Sequence, residues 1–358
     1  MSDFSDRLIA WQRRHGRHDL PWQNTRDAYR IWLSEIMLQQ TQVATVIPYY
    51  GRFLEAFPTI ADLAAAPLER VLELWAGLGY YARARNLHAC AVAVVRDHGG
   101  AFPRDPAQIA ELPGIGRSTA AAIAAFAYGH RGAILDGNVK RVLTRCFGVA
   151  GFPGAPKVEK GLWQLADSLL PACNESGEIE AYTQGIMDLG ASLCARRRPT
   201  CALCPMHDIC VARREGRQDE LPEAKPSKAL PERHTICLVI SDGPQLLVER
   251  RPPTGIWGGL LALPEIDDAA RLEETLARYG CRLEKQQTLA PFPHTFSHFR
   301  LHITPLLCRV SRSGQLAADS GDSAAAWIDW RDTASAALPA PLRKLLRDLD
   351  GLPPGLAA

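Results

Sequence analysis

Two acidic side chains, Glu35 and Asp136, carry the first chemistry that the sequence suggests. Glu35 lies in WLSEIML, residues 32–38, where apolar residues surround it at helical spacing. If it is pressed against these neighbours, its pKa rises and it can carry a proton at neutral pH. Asp136 could supply a second, ionised carboxylate, and such a pair breaks glycosidic bonds. On the residues alone, Glu35 on a helix surface and Asp136 as a helix N-cap remain open alternatives.

Four cysteines in CARRRPTCALCPMHDIC are spaced so that they could bind one metal centre: Cys194, Cys201, Cys204 and Cys210. Four thiolates can surround one ion or one cubane cluster. A zinc site usually takes two Cys-x2-Cys pairs and this segment has one, so zinc is less favoured. Structural cysteines without a metal are the third alternative. Because four of the ten cysteines crowd together in a long chain, a metal in a reducing compartment is favoured over disulfides.

The stretch LPGIGRSTA, residues 112–120, predicts a tight turn at the start of a helix. Gly114 and Gly116 permit positive φ and close approach of a partner to the backbone, and the helix offers unpaired N–H groups. Such a turn can hold an anion, and in a nucleic acid the anion is a phosphate. An ordinary helix-turn-helix corner is the alternative.

The charge pattern gives a local argument for phosphate binding but no global one. A net charge of +2 over 358 residues favours no particular partner. Two clusters of basic residues suit phosphates, although solvated charges are an equal alternative for each. The clusters are Arg117, Arg131, Lys140, Arg141 and Arg145, and then Arg196, Arg197 and Arg198.

The sequence predicts a cytoplasmic, unexported protein. Its first residues, MSDFSDRLIAWQRRHG, contain no apolar core of signal-peptide length. The longest weakly polar run, near residues 120–129, is too short to span a bilayer.

Two domains that differ in their sequence pattern must position these side chains. From Tyr29 to about Gly190, apolar residues recur at helical spacing between Pro and Gly, which predicts many short helices. After Cys210, a polar, charged, proline-bearing stretch has the composition of a linker. We therefore predict an all-α domain over residues 1–212, a linker over 213–232 and a second domain over 233–358.

The second domain has the pattern of an α+β fold. HTICLVISD, QLLVERRP and FRLHITPLLCRV are short β-branched runs that predict strands. DAARLEETLARYG and PAPLRKLLRDLDG are single segments with helical periodicity.

LPGIG before a small-residue helix, with LDGNVKRVL behind it, resembles the helix-hairpin-helix of the endonuclease III superfamily of DNA base-excision glycosylases. In the bifunctional members of that superfamily, a lysine at the position of Ser118 attacks the sugar. A serine cannot form an imine, and no lysine lies between Met1 and Lys140. The resemblance therefore implies a monofunctional glycosylase, in which Ser118 either lines the base pocket or caps the helix.

SEIMLQQTQVATVIPYY at 34–50 and GLGYYARARNLH at 77–88 are similar to one subfamily, the adenine DNA glycosylases of the MutY family. The resemblance implies that Glu35 protonates adenine, that Asp136 stabilises the sugar cation and that Asn138 helps to position the site. It also implies that loop residues enter the duplex where adenine is flipped out, namely Gln39, Gln40, Thr41 and Tyr80. For Tyr80, ordinary packing is the alternative.

The same resemblance gives the cysteine spacing a meaning, because it is that of the [4Fe–4S] loop of the superfamily. One [4Fe–4S] cluster would then order a loop whose arginines, residues 196–198, hold the DNA backbone. The helical domain would divide into a six-helix part at about 28–134 and a cluster part formed by 1–27 and 135–212.

The order of elements in the second domain, with GIWGGLLALPE at 255–265, resembles a Nudix hydrolase fold. The metal-binding box of that fold, laid from Gly259, matches Glu265, but its paired glutamates fall on Ala277 and Arg278. Without those carboxylates this type of Mg²⁺ site is lost, so the fold would serve recognition.

HTFSHF, residues 294–299, matches the loop with which adenine glycosylases read the base opposite the adenine. 8-Oxoguanine carries a donor at N7 where guanine has an acceptor. Ser297 could therefore distinguish the two bases by one hydrogen bond, with Phe296 and His298 beside it. A strand-end hairpin with an exposed histidine is the alternative.

The sequence thus predicts a monofunctional adenine DNA glycosylase of base excision repair, with an all-α glycosylase domain and an α+β Nudix-like domain. We expect it to act on double-stranded DNA with adenine opposite 8-oxoguanine or guanine, as a nucleoid-associated monomer that binds no membrane. The DNA contacts expected at the turn are Gly114, Gly116, Arg117 and Ser118. A bifunctional glycosylase/lyase and a non-catalytic Fe–S protein that binds damaged DNA are the alternatives.

Overall fold

Two compact units make up the computed structural model of this chain. The helical unit comprises Met1–Ala66 and Asn86–Ser227, and the strand unit comprises Pro67–Arg85 and Lys228–Ala358. The structure describes residues 2–172, 177–226, 229–252, 255–296, 298–312, 325–334 and 336–350. Among these residues, no helix is long and apolar enough to cross a membrane.

Short helices follow one another through the first part of the chain, as the periodicity predicts. They are α1 (Ser2–His15), α2 (Ala28–Leu38), α3 (Val43–Ala56), α4 (Ile60–Ala65), α5 (Leu68–Trp75), α6 (Ala82–His98), α7 (Pro106–Glu111), α8 (Arg117–Tyr128), α9 (Gly137–Phe147), α10 (Pro156–Ser168), α11 (Glu178–Ala191) and α12 (Val211–Arg214). Of these, α5 and the first residues of α6 belong to the strand unit.

Local chemistry fixes where these helices begin and end. Thr59 caps α4 and forms a reciprocal capping box with Asp62. Pro156 occupies the first turn of α10, where its missing N–H is not needed. Gly129 and Gly148 end α8 and α9 with φ of +66° and +65°, a left-handed conformation that favours glycine. The helices are short because such residues recur along the chain.

Small side chains let the helices of the helical unit approach closely. Ala121, Ala122 and Ala125 of α8 are buried in a core that also contains Val139 of α9 and Ile186 of α11. α8 packs against α2 and α11, and α11 packs against α1 and α9. The alanine-rich α8 therefore packs directly against the helix that carries Glu35, and α11 packs against both α8 and α9.

A mixed sheet and two helices form the C-terminal part of the strand unit. The elements are β1 (Glu232–Asp242), β2 (Gln245–Arg250), β3 (Leu261–Ala262), β4 (Glu265–Ile266), α13 (Leu272–Arg278), β5 (Cys281–Thr288), β6 (Phe292–Thr295), β7 (Arg300–Arg312), β8 (Ala325–Asp329) and α14 (Ala340–Asp350). They include each strand and helix that the sequence predicts for the second domain, which confirms the α+β class. α13 is shorter than its pattern, because Asp268 caps a 3₁₀ turn ahead of it.

Strand pairing in this sheet places β1 at its centre. The order is β3-β2-β1-β7-β5, with β4 on β1, β6 on β7 and β8 on β2. β1 and β7 run parallel, and the other pairs are antiparallel. Cys237 and Val239 of β1 enter one core and Leu238 and Ile240 enter the other. Because both faces are covered, β1 is a continuous apolar run.

The segment Pro67–Arg85 packs with the C-terminal residues. The Arg85 guanidinium donates to the carbonyl oxygen of Gly258 at 2.6 Å. A Cβ at Gly259 would lie 3.6 Å from Leu72 Cδ1, so α5 also contacts this turn. The sequence assigned the segment to the helical domain because α5 has the same periodicity as its neighbours. The boundary at 213–232 stays a prediction.

Gly190→Ala should destabilise the helical unit, because α9 and α11 approach closely at this residue. An added Cβ would lie 2.7 Å from Asn138 Cβ and 3.2 Å from Asn138 O. We expect the free energy of unfolding, measured in urea, to fall by about 1–3 kcal/mol. Gly161→Ala on α10 is the matched control, since a Cβ there meets nothing within 4 Å. The control should gain about 0.5–1 kcal/mol, and equal effects of the two substitutions would contradict the close approach.

Candidate active site and cysteine loop

Glu35 lies on the wall of a cavity of about 640 Å³ in the helical unit. The cavity is large enough for one purine base, and its volume is in the range of small-molecule sites. α2 brings Glu35 to it, while Ile31, Leu33 and Ile36 of the same helix are buried. Other walls come from α1 and the loop after it, α8 and α11, including Arg13, Arg17, Trp22, Phe126, Glu180 and Gln184.

Burial, with a smaller contribution from the negative charge of Asp136, raises the pKa of Glu35 to about 7. The side chain keeps part of its surface open towards the cavity, yet protein surrounds it closely enough to displace most of its solvating water. Glu35 therefore gains and loses its proton near neutral pH. This agrees with the prediction that Glu35 is pressed against apolar neighbours rather than placed on a polar helix surface.

Asp136 is the N-cap of α9, and its Oδ1 accepts a hydrogen bond from the Val139 N–H at 2.8 Å. Burial raises the pKa of Asp136 above its usual value, although hydrogen bonds from the backbone N–H groups of Val139 and Asn138 and the charges of Arg141 and Lys140 oppose that rise. The residue keeps an exposed face. Because capping bonds favour the charged form, we infer that Asp136 stays ionised where Glu35 is protonated. The N-cap alternative for Asp136 is confirmed, and its role in the reaction stays a prediction.

Ser118 does not cap α8, contrary to one of the two predicted roles. The N-cap is Gly116, and no side chain completes the cap. Ser118 Oγ accepts a hydrogen bond from the Leu135 N–H at 2.9 Å, one residue before Asp136. This hydrogen bond fixes the residue before Asp136, and it therefore helps to fix the backbone that carries the Asp136 carboxylate.

The two glycines of the turn differ in conformation. Gly114 has φ of +76°, and a Cβ there would lie 2.6 Å from Asn86 Cβ, so only glycine fits. Gly116 has φ of −95°, which other residues adopt, but nothing lies within 4 Å of where its Cβ would be. The backbone at the start of α8 is therefore open to a partner.

Most of the first basic cluster is engaged inside the helical unit. Arg117 lies over the Trp163 ring at 3.8 Å and pairs with Asp167 at 3.0 Å. Lys140 pairs with Glu159 at 2.6 Å. Arg131, Arg141 and Arg145 donate to backbone carbonyls. The cluster is therefore not a continuous face for phosphates, whereas residues 196–198 are exposed.

Arg141 connects the start of α9 to the cysteine loop. Its Nη2 donates to Asn138 Oδ1 at 2.9 Å and to the Gly190 carbonyl at 2.6 Å. Its Nε donates to the Cys194 carbonyl at 2.8 Å. Asn138, which the sequence predicts to position the site, is thus fixed by an arginine that also holds the first cysteine of the loop.

The four predicted metal ligands line a single cavity: Cys194, Cys201, Cys204 and Cys210. Among the described residues, no three His, Cys, Asp or Glu side chains are grouped to hold one ion. Sulfurs around one Zn²⁺, at Zn–S of about 2.3 Å, would lie about 3.8 Å apart, whereas a cubane takes one thiolate at each of four irons. Four thiols that line one cavity are the donor set that a single metal centre, such as a cubane cluster, would need.

Cys146 and Arg145 belong to this site although the sequence did not single them out for it. Cys146 is buried and lines the same cavity. Its hydrogen bond to Cys210 is the largest influence that lowers the pKa of Cys210 to about 6, which favours a thiolate ligand. Burial raises the pKa of Cys204 to about 12 and also raises that of Cys194. No spacing rule marks Cys146, because it lies on α9 and outside the loop.

A second unpredicted group, Asp188, lies behind the wall of the Glu35 cavity and is hydrogen-bonded to the lining residues Arg17 and Gln184. Asp188 is 2 % exposed and accepts from Arg17 Nε at 2.7 Å and from Gln184 Nε2 at 2.8 Å. The Arg17 backbone N–H donates to its other oxygen at 2.9 Å. A signal was present in the sequence, since Gln184 and Asp188 are four residues apart on one face of α11.

Two of the residues predicted to enter a duplex, Gln40 and Tyr80, have a positive φ. Gln39 is the C-cap of α2, and Thr41 lies in the connection to α3. Gln40, between them, is exposed with φ of +57°. Tyr80, in the strand unit, has φ of +47° and is 60 % exposed. A tyrosine that is 60 % exposed is not packed in a core, so the packing alternative for Tyr80 is not supported.

The residues predicted to read the opposite base follow β6. Phe296 stacks on Phe299 at 4.7 Å between ring centroids, and His298 meets the same ring at 4.7 Å. The Phe296 N–H donates to the Phe299 carbonyl at 2.9 Å, which closes the turn. Ser297 lies outside the described residues.

Comparison with known proteins defines the class. Residues 33–168 match the HhH-GPD superfamily of base excision DNA repair proteins, and residues 235–348 match the NUDIX domain. A thermostable thymine-DNA glycosylase is similar in structure, with a TM-score of 0.53 and 31 % identity over 59 % of this chain and 95 % of that one. A non-covalent endonuclease III–DNA complex, at 22 % identity and a TM-score of 0.50, shares the fold. Fold and carboxylate site define a helix-hairpin-helix base-excision repair protein with a Nudix-like domain.

Curated relatives narrow this class. The adenine DNA glycosylase of Buchnera aphidicola subsp. Acyrthosiphon pisum (strain APS) is 35 % identical over 345 residues, which cover 96 % of this chain and 97 % of the relative. That of Homo sapiens is 32 % identical over 417 residues, which cover 98 % of this chain and 75 % of the relative. The chain belongs to the adenine DNA glycosylase family, whose members are enzymes that hydrolyse N-glycosyl bonds. The predicted family and fold class are confirmed.

Glu35→Gln should stabilise the protein at high pH only. The pKa of Glu35 rises from 4.5 to about 7 on folding, so the folded state binds the proton more tightly and this stability is lost as pH rises through that range. A glutamine at this position does not ionise, so the burial of a charge does not lower its stability at high pH. We expect a gain of about 2–3 kcal/mol at pH 8 and almost none at pH 4, measured by urea unfolding. Glu55→Gln, exposed on α3, should change little, and a gain independent of pH would contradict the assignment.

Proposed function

We propose that the protein is a monofunctional glycosylase that removes adenine paired with 8-oxoguanine or guanine in double-stranded DNA. The observation that carries the proposal is the pKa of about 7 at Glu35, on the wall of a purine-sized cavity and near the Asp136 carboxylate. One carboxyl can thus give a proton at neutral pH while the other stays charged. This is what acid-assisted cleavage of a glycosidic bond requires.

The proposed reaction begins when adenine leaves the base stack and enters the cavity. Glu35 transfers its proton to a ring nitrogen of adenine, and the N-glycosidic bond breaks with its electron pair leaving on the base. Asp136 stabilises the positive charge that develops on the sugar. Water then adds its oxygen to the sugar carbon and returns one proton to the site. The products are adenine and an abasic site.

Gln184 is our candidate for recognising the adenine amino group. Its amide nitrogen donates to Asp188 Oδ1 at 2.8 Å, so its carbonyl oxygen is the atom left for the cavity. An amino group donates where the oxo group of another purine accepts. Asp188 would therefore select the orientation of the Gln184 amide, and Arg17 would hold Asp188.

The absence of a reactive amine at Ser118 supports cleavage without lyase chemistry. Ser118 is hydrogen-bonded to Leu135 N–H, and Lys140 is held by Glu159 at 2.6 Å. Ser118 has no amine, and the Lys140 side chain is engaged by Glu159, so neither residue is placed to form a Schiff base. A bifunctional glycosylase would leave a protein–DNA adduct after borohydride, and we expect none.

We propose that the cysteine cavity holds one [4Fe–4S] cluster, with one thiolate on each iron. Bound there, the cluster would tie the loop together by four Fe–S bonds. The exposed arginines at 196–198 would then contact phosphates. The glycosylase domain would span 1–212, with a cluster part at 1–27 and 135–212, and the Nudix-like domain would span 233–358.

The DNA contacts expected from the family resemblance remain part of this proposal. The open backbone at Gly116 and the exposed ring of Tyr80 support them. We propose that the protein acts as a monomer in the cytoplasm. The full set of contacts is Gly114, Gly116, Arg117, Ser118, Gln39, Gln40, Thr41, Tyr80, Asn138, Phe296, Ser297 and His298.

Glu35→Gln should slow single-turnover release of adenine from a duplex with adenine opposite 8-oxoguanine by about 100- to 10,000-fold. The wild-type rate should be steady below about pH 7 and then fall about tenfold per pH unit, because the Glu35 proton is lost. DNA binding should persist in the variant, and Glu55→Gln should behave as wild type.

Strand breaks in the same assay should appear only after alkali. Unchanged adenine release by Glu35→Gln would show that another group is the proton donor. No release by the wild type, with DNA still bound, would place the protein among non-catalytic binders of damaged DNA.

The purified protein should be brown and contain about four irons and four sulfides per chain. Cys201→Ser should reduce iron content and weaken DNA binding, because the arginine loop is no longer held. Cys281→Ser, in β5 and outside the cysteine loop, should keep the wild-type iron content and DNA affinity. A colourless protein with one zinc per chain would overturn the assignment.

A further inference from the structure

Trp257 has a backbone conformation that bulky residues avoid. Its φ is +56°, in the left-handed region. It lies in the turn between β2 and β3, directly before Gly258 and Gly259, in the strand unit. A strained residue of this kind persists only where its surroundings hold it, and such residues concentrate at functional segments.

Two arginines hold the backbone beside Trp257. Arg85 donates from Nη1 to the Gly258 carbonyl at 2.6 Å, and Arg250 donates from Nη1 to the Gly259 carbonyl at 3.1 Å. Hydrogen bonds from a charged donor are stronger than neutral ones. The turn that gives Trp257 its direction is therefore fixed from the end of β2 and from the separate segment Pro67–Arg85.

The indole of Trp257 contacts an aromatic cluster, which we define as Trp257, His294, Phe296, His298 and Phe299. Its ring centroid lies 5.8 Å from that of Phe296 and 6.1 Å from that of His294. Phe296 meets the edge of His294 at 4.6 Å and stacks on Phe299 at 4.7 Å. Trp257 thus supports Phe296 from another part of the chain, whereas the other members belong to the β6–β7 hairpin.

The segment that holds this turn also carries Tyr80. Arg83 donates to the carbonyls of Leu78 and Gly79 at 3.0 and 3.2 Å, which fixes the turn before Tyr80. Arg85 follows two residues later and binds Gly258. The exposed Tyr80 ring and the aromatic cluster are therefore linked within one unit by a short series of hydrogen bonds and ring contacts.

We propose that Trp257 is a positioning residue for reading the base opposite the adenine, and that Arg85 fixes Trp257. The proposal rests on the proposed function, in which Phe296 and His298 flank that base. The indole keeps Phe296 in place, and Phe296 with Phe299 keeps His298 in place. Loss of the indole therefore weakens the distinction between 8-oxoguanine and guanine more than it weakens DNA binding in general.

The test compares Kd for two duplexes, with adenine opposite 8-oxoguanine and opposite guanine, in the full chain carrying Glu35→Gln to prevent turnover. An aromatic contact changes an equilibrium constant by up to about tenfold. We expect Trp257→Leu to lower the preference for 8-oxoguanine by about three- to tenfold, with less than a twofold change for guanine. Trp257→Phe should restore most of the preference.

A double-mutant cycle tests the role of Arg85. Arg85→Met alone should lower the same preference, and Arg85→Met with Trp257→Leu should be no worse than Trp257→Leu alone, because the two act in series. Additive losses would overturn the role of Arg85. If Trp257→Leu does not fold, judged by thermal unfolding, Trp257→Phe and Arg85→Met still decide the question.

Trp327→Leu is the matched control, because this tryptophan on β8 lies beneath Arg312 and away from the aromatic cluster. It should leave the preference unchanged. An equal loss of affinity for both duplexes in Trp257→Leu would make Trp257 merely structural and overturn the proposal.

His298→Ala distinguishes a failure of the proposed function from a failure of the positioning role. An unchanged preference for 8-oxoguanine in this variant would show that His298 does not take part in reading the base. A lowered preference in His298→Ala but not in Trp257→Leu would overturn the positioning role alone.

Discussion

Desolvation of Glu35 is the constraint on which the rest of the site depends. A carboxyl removed from water prefers its neutral form unless a cation lies beside it. Arg17 lines the same cavity, and its charge would reverse this preference if it turned towards Glu35. It does not, because its guanidinium pairs with the buried Asp188 at 2.6 Å. The raised pKa of Glu35 therefore depends on Asp188, a carboxylate of α11 that keeps Arg17 occupied.

The helix α9 organises the other half of the site. Its N-cap is Asp136, and its next turns carry Asn138, Arg141 and Arg145. The two arginine side chains donate to carbonyls of α11 and of the cysteine loop. One helix thus carries both the carboxylate whose charge raises the pKa of Glu35 and the arginines that hold the backbone of the loop.

Much of this could be predicted from residue types and spacing. Helical periodicity, the glycine turn and the cysteine spacing depend on local sequence, and both carboxylates lie in recognisable stretches. The pairing of Arg17 with Asp188 joins residues 171 apart in the chain, and local patterns carry no such information. The packing of Pro67–Arg85 with the strand unit could not be predicted either, because the periodicity of α5 is the same as that of the neighbouring helices. The inward direction of Arg131, Arg141 and Arg145 also depends on tertiary packing, because charge alone does not say which carbonyls lie nearby.

The buried Arg145 ties the cysteine loop to a distant stretch of the chain. Arg145 is 3 % exposed, and its guanidinium donates to the carbonyls of Leu221, Ala195 and Arg196. One side chain of α9 therefore joins the backbone next to Cys194 to the backbone that follows α12. Loss of this guanidinium would leave three carbonyls in two separate segments without this donor, so both segments would loosen together.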